Sequence, residues 1–261
     1  MVKRIITAII ALLIFIPITV YGGLPFFMLT FVMGTIGMIE LLRAINGIKF
    51  LIPSVISLFA TWLILLSAQD YIFTFLKLDF KITFIGLMVL LLTYTVCSEN
   101  KFSFEQAGTF ILGTMYVAIG FYFFIYMREV GLSYLLFTLF IIWATDSGAY
   151  FSGNLFGSKK LWPSISPNKT VEGAIGGLII AIITGIIFQI VAPFDMPFIL
   201  LLGYTILISI AGQMGDLVAS ALKRHFAVDD FGQLLPGHGG IIDRFDSLLF
   251  VLPILYVLNF I

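Results

Sequence analysis

The sequence predicts an all-α protein that crosses a membrane about nine times and keeps its N-terminus in the cytoplasm. Three observations carry that reading. Hydrophobic residues make up 61% of the chain and charged residues only 11%, whereas about a quarter of the residues in a soluble domain are charged. Mean hydropathy is +1.13 and long stretches carry no charge, so lipid must solvate most of the surface. The basic residues, finally, are unevenly divided among the segments that join the apolar runs.

In hydrocarbon a backbone must satisfy its own polar groups, so apolar runs of roughly 17 to 25 residues read as spanning helices. The runs fall at residues 5–21, 24–42, 51–68, 82–98, 107–126, 133–152, 172–192, 198–219 and 247–261. The first follows Lys3 and Arg4 in the manner of a signal peptide. No small-x-small cleavage pattern comes after it and a second run starts at Leu24, so it reads as a retained membrane helix. The ninth is short, and its polar start from Asp243 to Ser247 suits a protein-lined cavity better than lipid. With the N-terminus inside, the inner segments hold Lys3, Arg4, Arg43, Lys49, Lys101, Lys159, Lys160, Lys169, Lys223, Arg224 and Arg244, which is 11 of the 14 basic residues. The outer segments keep Lys77, Lys81 and Arg128, and this imbalance sets the orientation.

A formal net charge of zero gives no basis for a nucleic-acid partner. Cys97 is the single cysteine, which excludes an intrachain disulfide and a cysteine metal cluster; its place at the end of an apolar run reads as packing. Residues 1–130 read as membrane scaffold. Residues 131–261 read as a catalytic membrane domain with two polar cytoplasmic loops, near 153–171 and 220–246.

Chemistry-capable residues concentrate in that second part. Asp146 lies inside the apolar sixth run, where a charge costs several kcal/mol on insertion scales and marks either a functional site or a carboxyl bonded to a neighbour. Asp216, Ser220 and Lys223 or Arg224 fall on one stripe of the eighth helix. The two cations could simply serve topology and the helix dipole, which leaves Asp216 without an explanation. Leu235-Pro-Gly-His238-Gly239-Gly240-Ile-Ile-Asp243-Arg244-Phe-Asp246-Ser247 is a glycine-rich loop that enters the ninth run. Its glycines allow either a plain turn or a backbone cradle for an anion, and Asp243, Asp246 and Ser247 share a helical face. His238 has no nucleophile beside it in sequence and reads as a hydrogen-bonding residue or a ligand contact. Thr170 and Glu172 suit a helix cap and a dipole-compensating acid as well as a binding site. Carboxylates, lysines, arginines and glycines in this mixture match polyphosphate chemistry, in which carboxylates hold Mg²⁺ and cations neutralise a leaving group.

Ser220-Ala-Leu-Lys223-Arg224, Asp230 and the segment Leu235 to Asp246 closely resemble the signature of the phosphatidate cytidylyltransferase family. Asp146-Ser-Gly-Ala-Tyr150 and Ser166-Pro-Asn-Lys169-Thr-Val-Glu-Gly173 resemble it too, in the same order. The resemblance implies transfer of CMP from CTP to phosphatidic acid in a bacterial cell membrane, with the active site facing the cytoplasm. It implies Asp216 and Asp243 as metal ligands for Mg²⁺, with K⁺ in a paired site, and a homodimer. Lys223, Arg224 and Asp246 would join the catalytic set. Asp146, Ser166, Lys169, Ser220, His238, Gly239, Gly240 and Arg244 would bind substrate. The family has Lys-Asp where this chain has Asp229-Asp230, often a small polar residue at Phe231 and a basic one at Gln233. A CTP-dependent lipid kinase-like enzyme is the alternative within enzymes. A cation or solute transporter is the alternative outside them, although acids gathered toward one face argue against a transport path.

Overall fold

The computed structural model describes residues 2–45, 49–68, 80–234, 237 and 239–261, without the side chains of residues 2–6 and 8. His238 and Lys77, both used in the sequence reading, lie outside the described residues. The described chain is helical: α1 (Val2–Tyr21), α2 (Gly23–Ala44), α3 (Leu51–Ser67), α4 (Phe80–Cys97), α5 (Phe104–Val130), α6 (Leu132–Phe156), α7 (Val171–Val191), α8 (Phe198–His225) and α9 (Ile242–Val257). Six of these, α2 and α4 to α8, are long and apolar enough to cross a membrane, and the chain is an integral membrane protein. The all-α expectation holds, with a short hairpin of β1 (Lys160–Trp162) and β2 (Ser166–Thr170) that the sequence reading does not include. Three further details differ from the sequence reading. Helix α8 continues through Ser220 to His225, α9 starts five residues earlier than its apolar run, and Cys97 is exposed at the end of α4 rather than packed.

The chain forms two compact units. The first contains residues 1–129 and 228–245, and the second contains residues 130–227 and 246–261.

Aromatic side chains hold the first unit together. Phe124 on α5 lies 5.1 Å from Phe26 on α2 and 5.8 Å from Phe245, centroid to centroid, and Phe245 also meets Phe121 at 5.9 Å. Helices α2 and α3 approach closely at Gly34, where an added Cβ would stand 2.8 Å from Leu65. The last carbonyls of α1 have no partner within their own helix. Arg128 supplies one, donating through Nε to Thr19 O at 2.6 Å and through a terminal nitrogen to Val20 O at 2.8 Å.

Small residues organise the second unit. On α6 and α7, Gly148, Gly153, Gly173 and Gly177 let the two backbones meet: a Cβ on Gly173 would fall 2.8 Å from Ala149 O, and one on Gly177 2.7 Å from Thr145 O. Helix α8 joins the pair through two polar contacts, Thr145 Oγ1 to Ser209 Oγ at 3.0 Å and Gln213 Nε2 to Ala174 O at 3.3 Å. Its Gly215 lies against α9, where a Cβ would come within 2.9 Å of the Ser247 Cα.

Candidate functional site

The hairpin is the local device that builds the site in the second unit. Val171 N donates to Lys159 O at 2.9 Å and closes the strand pair just ahead of α7. Thr170 is the N-cap of α7, its Oγ1 accepting from Gly173 N at 3.1 Å, so the capping role read from the sequence is realised. Glu172 is more than a dipole-compensating acid. It accepts from Ser158 Oγ at 2.6 Å and from Lys159 N at 3.2 Å, which fastens the start of the hairpin to the first turn of α7. This arrangement carries Lys169 on β2 to α8, where its ammonium forms an ion pair with Asp216 Oδ2 at 2.5 Å. The two side chains are 26% and 37% exposed, so the pair is neither sealed in the core nor free in solvent.

Asp146, Lys169 and Asp216 together line a pocket of about 400 Å³, with Tyr150, Asn154, Asn168, Thr170 and Gln213 among the other walls. Ala149, Gly153, Gly173 and Ala174, small residues of α6 and α7, also line this pocket. The charges of Asp146, Asp216 and Asp246 act on one another, while Lys169 acts on Asp146 and Lys223 on Asp246. Ser220 directs its hydroxyl at Asp216 Oδ1 at 3.5 Å, the outer limit of a hydrogen bond, from one turn further along α8. Arg224 is exposed and aims Nε at Ile165 O at 3.5 Å. Ser166 begins β2 opposite Trp162.

In the first unit the polar segment that leads into α9 wraps around two buried carboxylates. Asp243 is 8% exposed, and its Oδ2 accepts from Phe231 N at 3.0 Å and Gly240 N at 2.9 Å. Gly239 has φ of 81°, which favours glycine, and stands against the Asp243 side chain. Arg244 is exposed. Phe231, at a position where the sequence comparison pointed to small polar residues, is 5% exposed and fills a buried place.

Sequence reasoning missed Glu40. It is 3% exposed on α2, and it accepts from Ile241 N and Ile242 N, both at 3.1 Å, across some 200 residues of chain. The available signal was an acid within an apolar run, the same signal that drew attention to Asp146.

Mg²⁺ prefers hard oxygen donors and is commonly held by one or two carboxylates together with substrate phosphates, rather than by a complete protein cage. Asp216, a carboxylate at the wall of a pocket, fits that habit. Among the described residues no group of three or more His, Cys, Asp or Glu side chains is assembled for a metal on its own.

Two carboxylates and one ammonium group on a pocket of a lipid-solvated helical protein suit a membrane-embedded enzyme for anionic substrates. The chain belongs to the Cytidylyltransferase family, whose sequence profile matches residues 2–261. It is 45% identical over 259 residues to the phosphatidate cytidylyltransferase of Bacillus subtilis (strain 168), covering 98% of this chain and 96% of that one. It is 47% identical over 256 residues to the phosphatidate cytidylyltransferase of Staphylococcus saprophyticus and 48% identical over 256 residues to that of Staphylococcus epidermidis (strain RP62A), in each case covering 98% of this chain and 97% of the relative.

Proposed function

We propose that this chain transfers the cytidylyl group of CTP to phosphatidic acid. A phosphate oxygen of the lipid forms a bond to the α-phosphorus of CTP, the bond from that phosphorus to the α,β-bridging oxygen breaks, and the products are CDP-diacylglycerol and pyrophosphate. The observation that carries this reading is identity of 45% or more, over 98% of the chain, to proteins that bear that activity in their names. The Lys169–Asp216 pair in the pocket supports it independently, because the chemistry needs a cation for phosphate oxygens beside a carboxylate.

Roles follow from chemistry. A lipid phosphate monoester is already largely ionised at neutral pH, so no strong general base is required. What must be overcome is repulsion between two polyanions, and positioning with electrostatic stabilisation supplies most of the catalysis in phosphoryl chemistry. Resemblance to the family is what supports Asp216 and Asp243 as carboxylates for the metal, with Asp246 supporting them and K⁺ in a paired site. Held there, Mg²⁺ would supply positive charge to offset that of the phosphates. Lys223 and Arg224 neutralise the departing pyrophosphate. Asp146, Ser166, Lys169, Ser220, His238, Gly239, Gly240 and Arg244 contact and orient the substrates. The excess of basic residues on one side supports a site facing the cytoplasm, and resemblance to the family supports a homodimer.

The test is direct. Purified protein receives CTP labelled in the cytosine ring, phosphatidic acid and Mg²⁺, and label is counted in the lipid fraction. Label in lipid with matching release of pyrophosphate supports the reading. Label that stays in the aqueous phase while the γ-phosphate moves to lipid would favour the CTP-dependent kinase alternative.

A further inference from the structure

The segment entering α9 in the first unit is shaped by two carboxylates that divide its backbone amides between them. Asp243 takes Phe231 N and Gly240 N on a single oxygen. Glu40 takes the next two amides, one on each oxygen: Ile241 N on Oε1 and Ile242 N on Oε2. These amides open α9 and have no acceptor within their own helix. They also sit at its positive end, where an anion is favoured. The fit is close on both sides, since a Cβ on Gly232 or on Gly240 would run into the Glu40 carboxylate. An acid in the body of an apolar helix is costly to insert, and a simple helix cap could have come from a serine or aspartate next to α9. An acid from α2 instead fixes the turn to a separate, rigid element.

We propose that Glu40 is a positioning residue for the transfer: by bridging the amides of Ile241 and Ile242 it fixes the turn from which Asp243 projects, without touching substrate itself. This rests on the assignment of Asp243 to the reacting site. The carboxylate matters because its two equivalent oxygens accept two neighbouring N–H groups together. Glutamine has the same shape but only one acceptor atom, and its amide nitrogen would face a second donor.

The experiment compares Glu40→Gln, Glu40→Ala, Gly232→Ala and the Glu40→Ala/Gly232→Ala double variant with the wild type, each quantified as folded, monodisperse protein. KM values for CTP and phosphatidic acid should stay within about twofold, while kcat falls about tenfold for Gln and about a hundredfold for Ala, the scale on which small misplacements act. The double variant should be no slower than the worse single one, because both changes break the same contact. Hydrogen exchange should accelerate at Ile241 and Ile242 in every variant. A fall in thermal stability with unchanged kcat would overturn the proposal and leave Glu40 a plain cap; so would unchanged exchange, or additive losses in the double variant. Should Ala fail to fold, the isosteric Gln variant decides the matter alone. A wild-type protein that transfers no cytidylyl group would overturn the functional reading, and the exchange comparison would still decide the clamp.

Discussion

A carboxylate of the first unit, Glu40, and one of the second, Asp216, stand in opposite surroundings. Glu40 is 3% exposed, and backbone amides occupy both of its oxygens. Asp216 is more than a third exposed, faces a lysine across a pocket and shares its field with two other carboxylates. A buried acid saturated by N–H groups shapes the chain. A partly exposed acid beside a lysine and two further carboxylates is the kind we propose acts in the reaction. The lesson is that an acid in a membrane helix identifies a functional region, but only its partners tell whether it builds the site or acts in it.

The sharpest way to break this comparison is to neutralise one acid of the acting kind. Asp216→Asn should lower kcat on the order of 100- to 1,000-fold while the thermal midpoint in detergent stays near that of the wild type. A loss of folding in place of a loss of turnover would class Asp216 with the shaping acids. Its partner comes next. Lys169→Met should reduce kcat/KM for CTP by about 10- to 100-fold, with Lys169→Arg recovering part of the loss, since a charged donor to phosphate is retained. Equal losses in both variants would mean that the exact ion pair, not the cation, is what matters.

The next prediction concerns the glycine seam between α6 and α7. Gly177→Val pushes a branched side chain toward Thr145 O and should destabilise the second unit by about 1–3 kcal/mol, read as a lower thermal midpoint. An unchanged midpoint would show that α6 and α7 can separate freely. The smallest effect is expected at Asp229, exposed in the first unit. Asp229→Lys changes local charge by two units, and exposed charges act weakly and through salt-sensitive fields, so the KM for CTP should fall about two- to fivefold at low ionic strength and less at high. Identical kinetics at both salt concentrations would remove any part for this position.

Most helices were legible because length and apolarity decide them, and the nine runs correspond to α1–α9 with shifts mainly at their ends. The shifts have causes. Helix α8 outlasts its run because Ser220, Lys223 and Arg224 continue a regular helix with a polar stripe, which hydropathy alone cannot follow. The β1–β2 hairpin was hidden because it is held by Glu172 and a backbone bond from Val171 rather than by an alternating apolar pattern. In the site, Asp216 with Ser220 was readable from helical spacing, whereas Lys169 with Asp216 was not, since 47 positions that include all of α7 separate them. Glu40 escaped for the same reason in stronger form, because its partners are main-chain amides whose identity leaves no mark in the sequence.

The central claim is that a cation held by these carboxylates lets two polyanions react. Initial rates of cytidylyl transfer measured against free Mg²⁺ test it most directly, at fixed CTP and phosphatidic acid, for the wild type and Asp216→Asn. The wild type should be inactive in excess chelator, regain full turnover as Mg²⁺ is returned, and lose that response when Asp216 is replaced. Turnover that persists in chelator, or an Asp216→Asn variant with the wild-type Mg²⁺ curve, would contradict the account.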